Sequence, residues 1–301
     1  MDDVRRARRG LLVFFAVLIP LSGFIEALIL RRMVFLSRGV LVLLLMWIPA
    51  LASVIARLAT REGFSDLSFR ASNRRVARAL FIAAAFPLLV GALAYGIAWS
   101  TGLAAFEAPL EDPVLILPLW MAPLSGSPAA RFAQSLALHL SLGAVSGCIF
   151  AAGEEIGWRG YLVPRLIEAR VPWALPLSGL VWAVWHWPLA LGSKSPDKLL
   201  SLSLFTLVLI PIGGLVARLR LESGSVLPAI LLHALWNELL GIVFDGFTAK
   251  PGIWLGESGI LVVSVSTLLA TPFLLGRWSA RRSPGAAPYA EIGFLSRPEP
   301  R

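Results

Sequence analysis

The chain alternates between long apolar stretches and short polar connections. Eight apolar runs cover residues 11–30, 39–56, 79–100, 133–157, 173–192, 199–217, 225–244 and 258–276. Most approach the ~20 residues that a helix needs to cross ~30 Å of hydrocarbon. Backbone polar groups at that depth must be satisfied within the segment, which leaves helices or a closed barrel. Barrel strands would alternate apolar and polar positions over about ten residues, and these runs do not. The pattern predicts an all-α fold, a polytopic membrane helix bundle of about eight transmembrane helices.

The connections are informative too. Leu103 to Ser125 carries Pro109, Pro113, Pro118 and Pro123 and reads as an outer loop. Phe64 to Arg78 is basic and partly amphipathic, and is expected along the inner surface. The first run follows Arg5, Arg6, Arg8 and Arg9, as a signal peptide would. It is too long for a signal h-region and no small-x-small site precedes Arg31, so a retained helix is expected. The resulting division is residues 1–130 for helices one to three and the outer loop, 131–245 for a core of helices four to seven, 246–276 for the last helix, and 277–301 for a basic cytoplasmic tail. No internal repeat is evident.

Composition narrows the class. Of 301 residues, 57% are hydrophobic and 15% charged, with a mean hydropathy of +0.77. Soluble domains carry roughly 25% charged residues, so a soluble fold is excluded. Cys148 is the single cysteine, which excludes an intrachain disulfide and a multi-cysteine zinc site. It sits on an apolar stretch and is expected to pack. The net charge of +9 comes from residues that punctuate the apolar runs rather than forming a basic-aromatic patch, so no nucleic-acid partner is expected. With the N-terminus inside, 20 of the 27 Lys and Arg fall on the cytoplasmic side. That bias predicts an integral multi-pass protein with cytoplasmic N- and C-termini, facing the lipid bilayer.

Ionisable groups inside the spans are few: Glu26, His139, Glu154, Glu155, His186, His233 and Glu238. Each costs ~2.5–3.5 kcal/mol on insertion scales if charged, so each is a functional candidate. All three histidines of the chain are among them. In Gly153-Glu154-Glu155-Ile156-Gly157-Trp158-Arg159, Glu155 and Arg159 are four apart and can pair, leaving Glu154 turned about 100° away and unpaired. That arrangement suits base chemistry, and equally a helix end with its charges at the head groups. His186 lies well within the fifth run, where imidazole has no stem with which to snorkel. Trp182 shares its face and would wall a pocket. His233 and Asn237 are four apart on the seventh run and can address one small volume. For both histidines the alternative is polar contact between helices. Glu26 and His139 stand alone and read as structural or substrate-access groups, and Glu238 points away from Asn237.

In this order the three motifs resemble the CAAX prenyl protease and bacteriocin-processing (CPBP, or Abi) family of intramembrane proteases. That family carries Glu-Glu-x-x-x-Arg, aromatic-x-x-x-His and His-x-x-x-Asn/Asp on successive core helices. The resemblance covers about residues 131–245. The aromatic position, usually Phe, is Trp182 here, a larger wall that bears on pocket size. The resemblance implies peptide hydrolysis within the membrane: Glu154 and His186 activating water, His233 and Asn237 stabilising the oxyanion, and Glu155, Arg159 and Trp182 in support. The substrate would be a membrane-anchored peptide or protein cut near its C-terminus. Amide hydrolysis requires a base and donors aimed at the developing negative oxygen, and these side chains can supply both. No cofactor is required. Zinc is the alternative, with Glu154, His186 and His233 as its ligands, although the two-ligand His-Glu-x-x-His helix is missing. Two other functions compete: a non-catalytic scaffold or immunity protein of the same fold, and a proton-coupled transporter. The first has no need for so many polar groups in lipid, and the second often predicts a repeat that this chain lacks.

Overall fold

A computed structural model describes residues 3–31, 37–109, 124–192 and 197–275. Most of the expected outer loop, Leu103 to Ser125, and the whole basic tail, 277–301, lie outside these residues. The described chain is helical: α1 (Asp3–Leu30), α2 (Arg38–Thr60), α3 (Arg74–Thr101), α4 (Pro128–Glu168), α5 (Ala174–Leu191), α6 (Lys198–Ser223), α7 (Leu227–Phe244) and α8 (Ile260–Leu275). The first seven are long and apolar enough to span a membrane. The eighth has 16 residues, ~24 Å at 1.5 Å per residue, somewhat short of the hydrocarbon thickness. One two-residue antiparallel bridge, β1 (Ala105–Phe106) with β2 (Thr248–Ala249), ties the end of α3 to the end of α7.

The helix starts follow from local chemistry. Ser37, Asn73 and Ser127 each accept the N–H three residues on, and Asp197 accepts that of Leu200, satisfying donors that a helix start leaves unpaired. The helix α4 runs 41 residues, past both ends of its apolar run. It contains two π-helical stretches, His139–Gly143 and Trp158–Leu162. A third, Asn237–Phe244, forms the second half of α7. The one at Trp158–Leu162 has a covalent cause. Pro164 has no N–H to offer Gly160 O, and its ring crowds that carbonyl. Arg57 Nη2 donates to Gly160 O instead, at 2.9 Å.

Close helix contacts set the register of the core. A Cβ on Gly153 would lie 2.5 Å from Met46 O, and one on Gly157 2.4 Å from Pro49 Cβ. These two glycines, four apart, seat α4 directly on the α2 backbone. Glu154 and Glu155 lie between them and project elsewhere. Gly179 and Gly213 bring α5 and α6 equally close, since a Cβ on Gly213 would lie 2.9 Å from Gly179 Cα.

At the end of the bundle formed by residues 61–73 and the close of α4, Asp66 binds Arg57 at 2.5 Å and Arg165 at 2.9 Å. Arg165 also meets Glu62 at 2.9 Å. Burial alone would raise the Asp66 carboxyl, but the hydrogen bond and charge of Arg57, with Arg165 behind it, hold it below the usual carboxylate range. The Tyr161 ring lies against both guanidinium groups, 5.1 and 5.2 Å from ring centre to carbon. The segment Phe64–Arg78, expected on the surface, is thus pinned to the core at Asp66.

Candidate active site

Four helices contribute to one buried polar cluster. Glu154 and Glu155 come from α4, Trp182 and His186 from α5, and His233 from α7; α6 supplies Phe205 against the His186 ring at 5.4 Å. Glu154, Glu155 and Arg159 are each 1% exposed or less. Glu155 Oε1 accepts from Arg159 Nη1 at 2.8 Å, the pairing expected from their spacing, and also from His233 Nδ1 at 2.9 Å. A carboxylate only accepts, so the His233 proton sits on Nδ1 and its Nε2 is left open. His186 Nδ1 donates to Trp182 O at 2.9 Å, which leaves its Nε2 open by the same argument. The two imidazoles flank the Trp182 indole, with ring centres 6.0 Å (His186) and 5.1 Å (His233) away.

Glu154 is not unpaired, contrary to the expectation from sequence. Its Oε2 accepts from Trp182 Nε1 at 2.7 Å and from Trp158 Nε1 at 3.2 Å. Both bonds fall on one oxygen, and Oε1 has no hydrogen bond among the described residues. Trp182 therefore does more than wall the pocket: its N–H orients the carboxylate, while Arg159 stacks on its face at 4.2 Å. Trp158 was not singled out from the sequence, although it stands four residues after Glu154, as Arg159 stands four after Glu155.

Asn237 stands one turn after His233 on α7, as their spacing predicts, with no side-chain hydrogen bond between the two among the described residues. Its backbone N–H reaches both Ala234 O and His233 O at the opening of the π stretch. The Asn237 side chain lines an open groove of about 480 Å³, together with Gly241, Ile242, Asp245, Glu257 and Ser258. Tyr95 O–H donates to Asp245 at the far end. Burial raises the Asp245 carboxyl, and burial with the nearby Asp245 charge pushes Glu257 up to about 7 while His233 acts in the opposite sense. Glu257 lies in the polar connection before α8, where no sequence pattern marks it.

Further expectations are corrected or completed. His139 does not stand alone and Glu238 is not idle: His139 Nδ1 meets Glu238 Oε2 at 2.5 Å, with both side chains fully buried. The pair is separate from the cluster around Glu154. Glu26 is buried in α1, and its Oε1 has no hydrogen-bond partner among the described residues. Cys148 is half-buried on the apolar face expected for it. Glu154, His186 and His233 were named as ligands should zinc be present. Among the described residues, no group of three or more His, Cys, Asp or Glu side chains is arranged to hold a metal ion.

Residues 136–239 match the family described as "Type II CAAX prenyl endopeptidase Rce1-like". That interval contains every residue of the cluster and ends just beyond Asn237. The chain is also 32% identical over 115 residues to "CAAX prenyl protease 2" of Methanococcus maripaludis, an alignment covering 34% of this chain and 42% of the relative. The chain thus spans less than half the length of that relative. Three motifs in the family's order, on helices that bring most of them together, coincide with the matched interval. Over this membrane-embedded core the chain is similar to the type II CAAX prenyl endopeptidases.

Proposed function

We propose that the chain is an intramembrane endopeptidase that hydrolyses a peptide bond near the C-terminus of a membrane-associated, CAAX-type protein or peptide. The observation that carries this reading is the division of labour between two adjacent carboxylates. Glu155 is charge-paired with Arg159 and bonded to His233, whereas Glu154 accepts only from two neutral indole N–H groups, both on Oε2. In a site closed to bulk water, a carboxylate oriented this way is a general base for a water molecule. Glu154 Oε1 takes the proton, His186 Nε2 shares in polarising the water, and the hydroxide adds to the scissile carbonyl. The Asn237 amide and a protonated His233 Nε2 donate to the resulting oxyanion. The proton held on Glu154 then passes to the departing amine as the C–N bond breaks.

The names of the family and of the relative support CAAX-type substrates, because such proteins end in a lipid-modified cysteine followed by a short peptide. The distribution of Lys and Arg supports cytoplasmic termini. The mechanism above asks for no metal. If zinc were bound, Glu154, His186 and His233 would be its ligands.

The test is cleavage of a membrane-anchored peptide library by purified protein in lipid nanodiscs, wild type beside Glu154→Ala, with and without a chelator. Cleavage by wild type alone supports the reading, and its persistence with chelator supports metal-free chemistry. Loss of cleavage with chelator, restored by zinc, would replace the water-activation scheme with a metal one. Absence of cleavage from a folded wild-type protein would favour the non-catalytic scaffold or immunity role.

A further inference from the structure

Two of the three π-helical stretches meet at one buried contact. His139 opens the π stretch of α4 and Glu238 is the second residue of the π stretch of α7. Such stretches account for well under 1% of residues in folded proteins, and a local cause or a tertiary one must hold them. Asn237–Phe244 contains no proline, so nothing in its own sequence forbids ordinary α winding.

The surroundings are shaped for the Glu238 carboxylate. A Cβ on Gly143 would lie 2.7 Å from Glu238 Oε2 and 3.1 Å from His139 Nδ1. One on Gly147 would lie 3.2 Å from Glu238 Cγ. Both glycines face α7 from α4, and any larger residue would displace the carboxylate. A buried ionic pair contributes little net stability once desolvation is counted, and its best-attested use is to fix register. What lies directly before and after Glu238 is the site: Asn237 on one side, and Gly241, Ile242 and Asp245 lining the groove on the other.

We infer that the His139–Glu238 bridge is a positioning device that holds α7 in its π winding and thereby sets which residues line the groove behind Asn237. Relaxing the stretch to α winding would turn the residues after Glu238 by about 100°, one residue's rotation, and carry Ile242 off the groove wall. Neither His139 nor Glu238 touches the reacting atoms. The consequence for turnover rests on the peptidase reading; the consequence for geometry does not.

The experiment places a thiol at Ile242→Cys in a Cys148→Ala background and measures its labelling by a charged, water-soluble maleimide in nanodiscs. Glu238→Gln keeps a hydrogen-bonding side chain of the same length opposite His139. The double change of His139→Leu with Glu238→Leu removes the bridge and leaves no unpaired charge in the core, so folding is preserved. Labelling should fall about tenfold in the double variant and stay within about twofold of the parent in Glu238→Gln. On cleaved peptide, without the labelling mutations, the double variant should lose about 10²-fold in kcat/KM, the usual cost of a misplaced substrate-positioning wall. Glu238→Gln should recover most of that rate. Equal labelling in the parent, Glu238→Gln and the double variant would overturn the positioning role. Labelling that falls as expected, in a protein whose wild type cleaves nothing, would overturn the peptidase reading and leave the positioning role standing.

Discussion

Two glutamate–histidine pairs are buried in this bundle, and they differ in what surrounds them. In both, an imidazole Nδ1 meets a carboxylate oxygen, at 2.9 Å for His233 with Glu155 and 2.5 Å for His139 with Glu238. The second pair is sealed between α4 and α7 on a seat of two glycines, with both side chains fully buried. The first has Arg159 balancing its carboxylate, a second glutamate alongside, and another histidine across the Trp182 ring. An ionisable pair in a membrane helix is therefore not a site by itself. Chemistry needs further reactive groups beside the pair, and of these two pairs it is the one around Glu154 that has them: a second carboxylate and a second imidazole.

The largest effect should come from removing the carboxylate that no cation neutralises, Glu154. Glu154→Gln preserves shape and one hydrogen-bond acceptor but cannot take a proton. Peptide cleavage should fall by ~10³ or more, the upper range for loss of a general base, with an unchanged melting temperature. Comparable turnover in Glu154→Gln and wild type would erase the distinction between the two pairs. Next in size is Asn237→Ala, which should lower kcat by ~10²–10³ while KM moves little, the usual cost of one lost oxyanion donor. A rise in KM alone would instead place Asn237 in substrate binding at the groove.

Smaller again is Trp182→Phe, which keeps an aromatic ring between the histidines and deletes the N–H that holds Glu154 Oε2 at 2.7 Å. A hydrogen bond to a charged group contributes ~1.5–3 kcal/mol, but Trp158 retains part of the hold, so a loss of about tenfold in kcat is expected. Trp158→Phe, whose bond is longer at 3.2 Å, should cost less. The double variant should lose more than the product of the two, because both donors serve one oxygen. Multiplicative losses would mean that the indoles act only as packing.

Much of this was legible in the sequence. Apolar run length located all eight helices, since crossing hydrocarbon imposes a length that few other pressures do. The spacing of Glu155 and Arg159 forecast their bond. The same rule, applied one residue earlier, would have given Glu154 its Trp158 partner. Pro164 marked the break in α4 that frees Gly160 O for Arg57. The His139–Glu238 contact had no such signal: its partners are 99 residues apart, and Asn237–Phe244 reads as an ordinary helix.

The finest test of the comparison concerns an acid that belongs to neither pair. Glu257 sits at the groove that Asn237 lines, and burial, reinforced by the charge of Asp245, pushes its carboxyl up to about 7 from an ordinary value of 4.5. A carboxyl raised in the folded state opposes folding once it must ionise. The penalty is absent below about pH 4.5, grows as pH rises towards 7 and is constant above it. Glu257→Gln removes the ionisation, so its melting temperature should exceed that of wild type by a few degrees at pH 8 and match it at pH 4.5. The fully engaged Asp66 has the opposite sign: its lowered carboxyl supports folding above its unfolded value and loses that support as pH falls, so Asp66→Asn should destabilise at pH 8. Thermal melts of both variants in nanodiscs at the two pH values measure these opposed shifts. Equal shifts of one sign would mean that partners hold Glu257 ionised, as they hold Asp66, rather than burial at the groove holding it neutral.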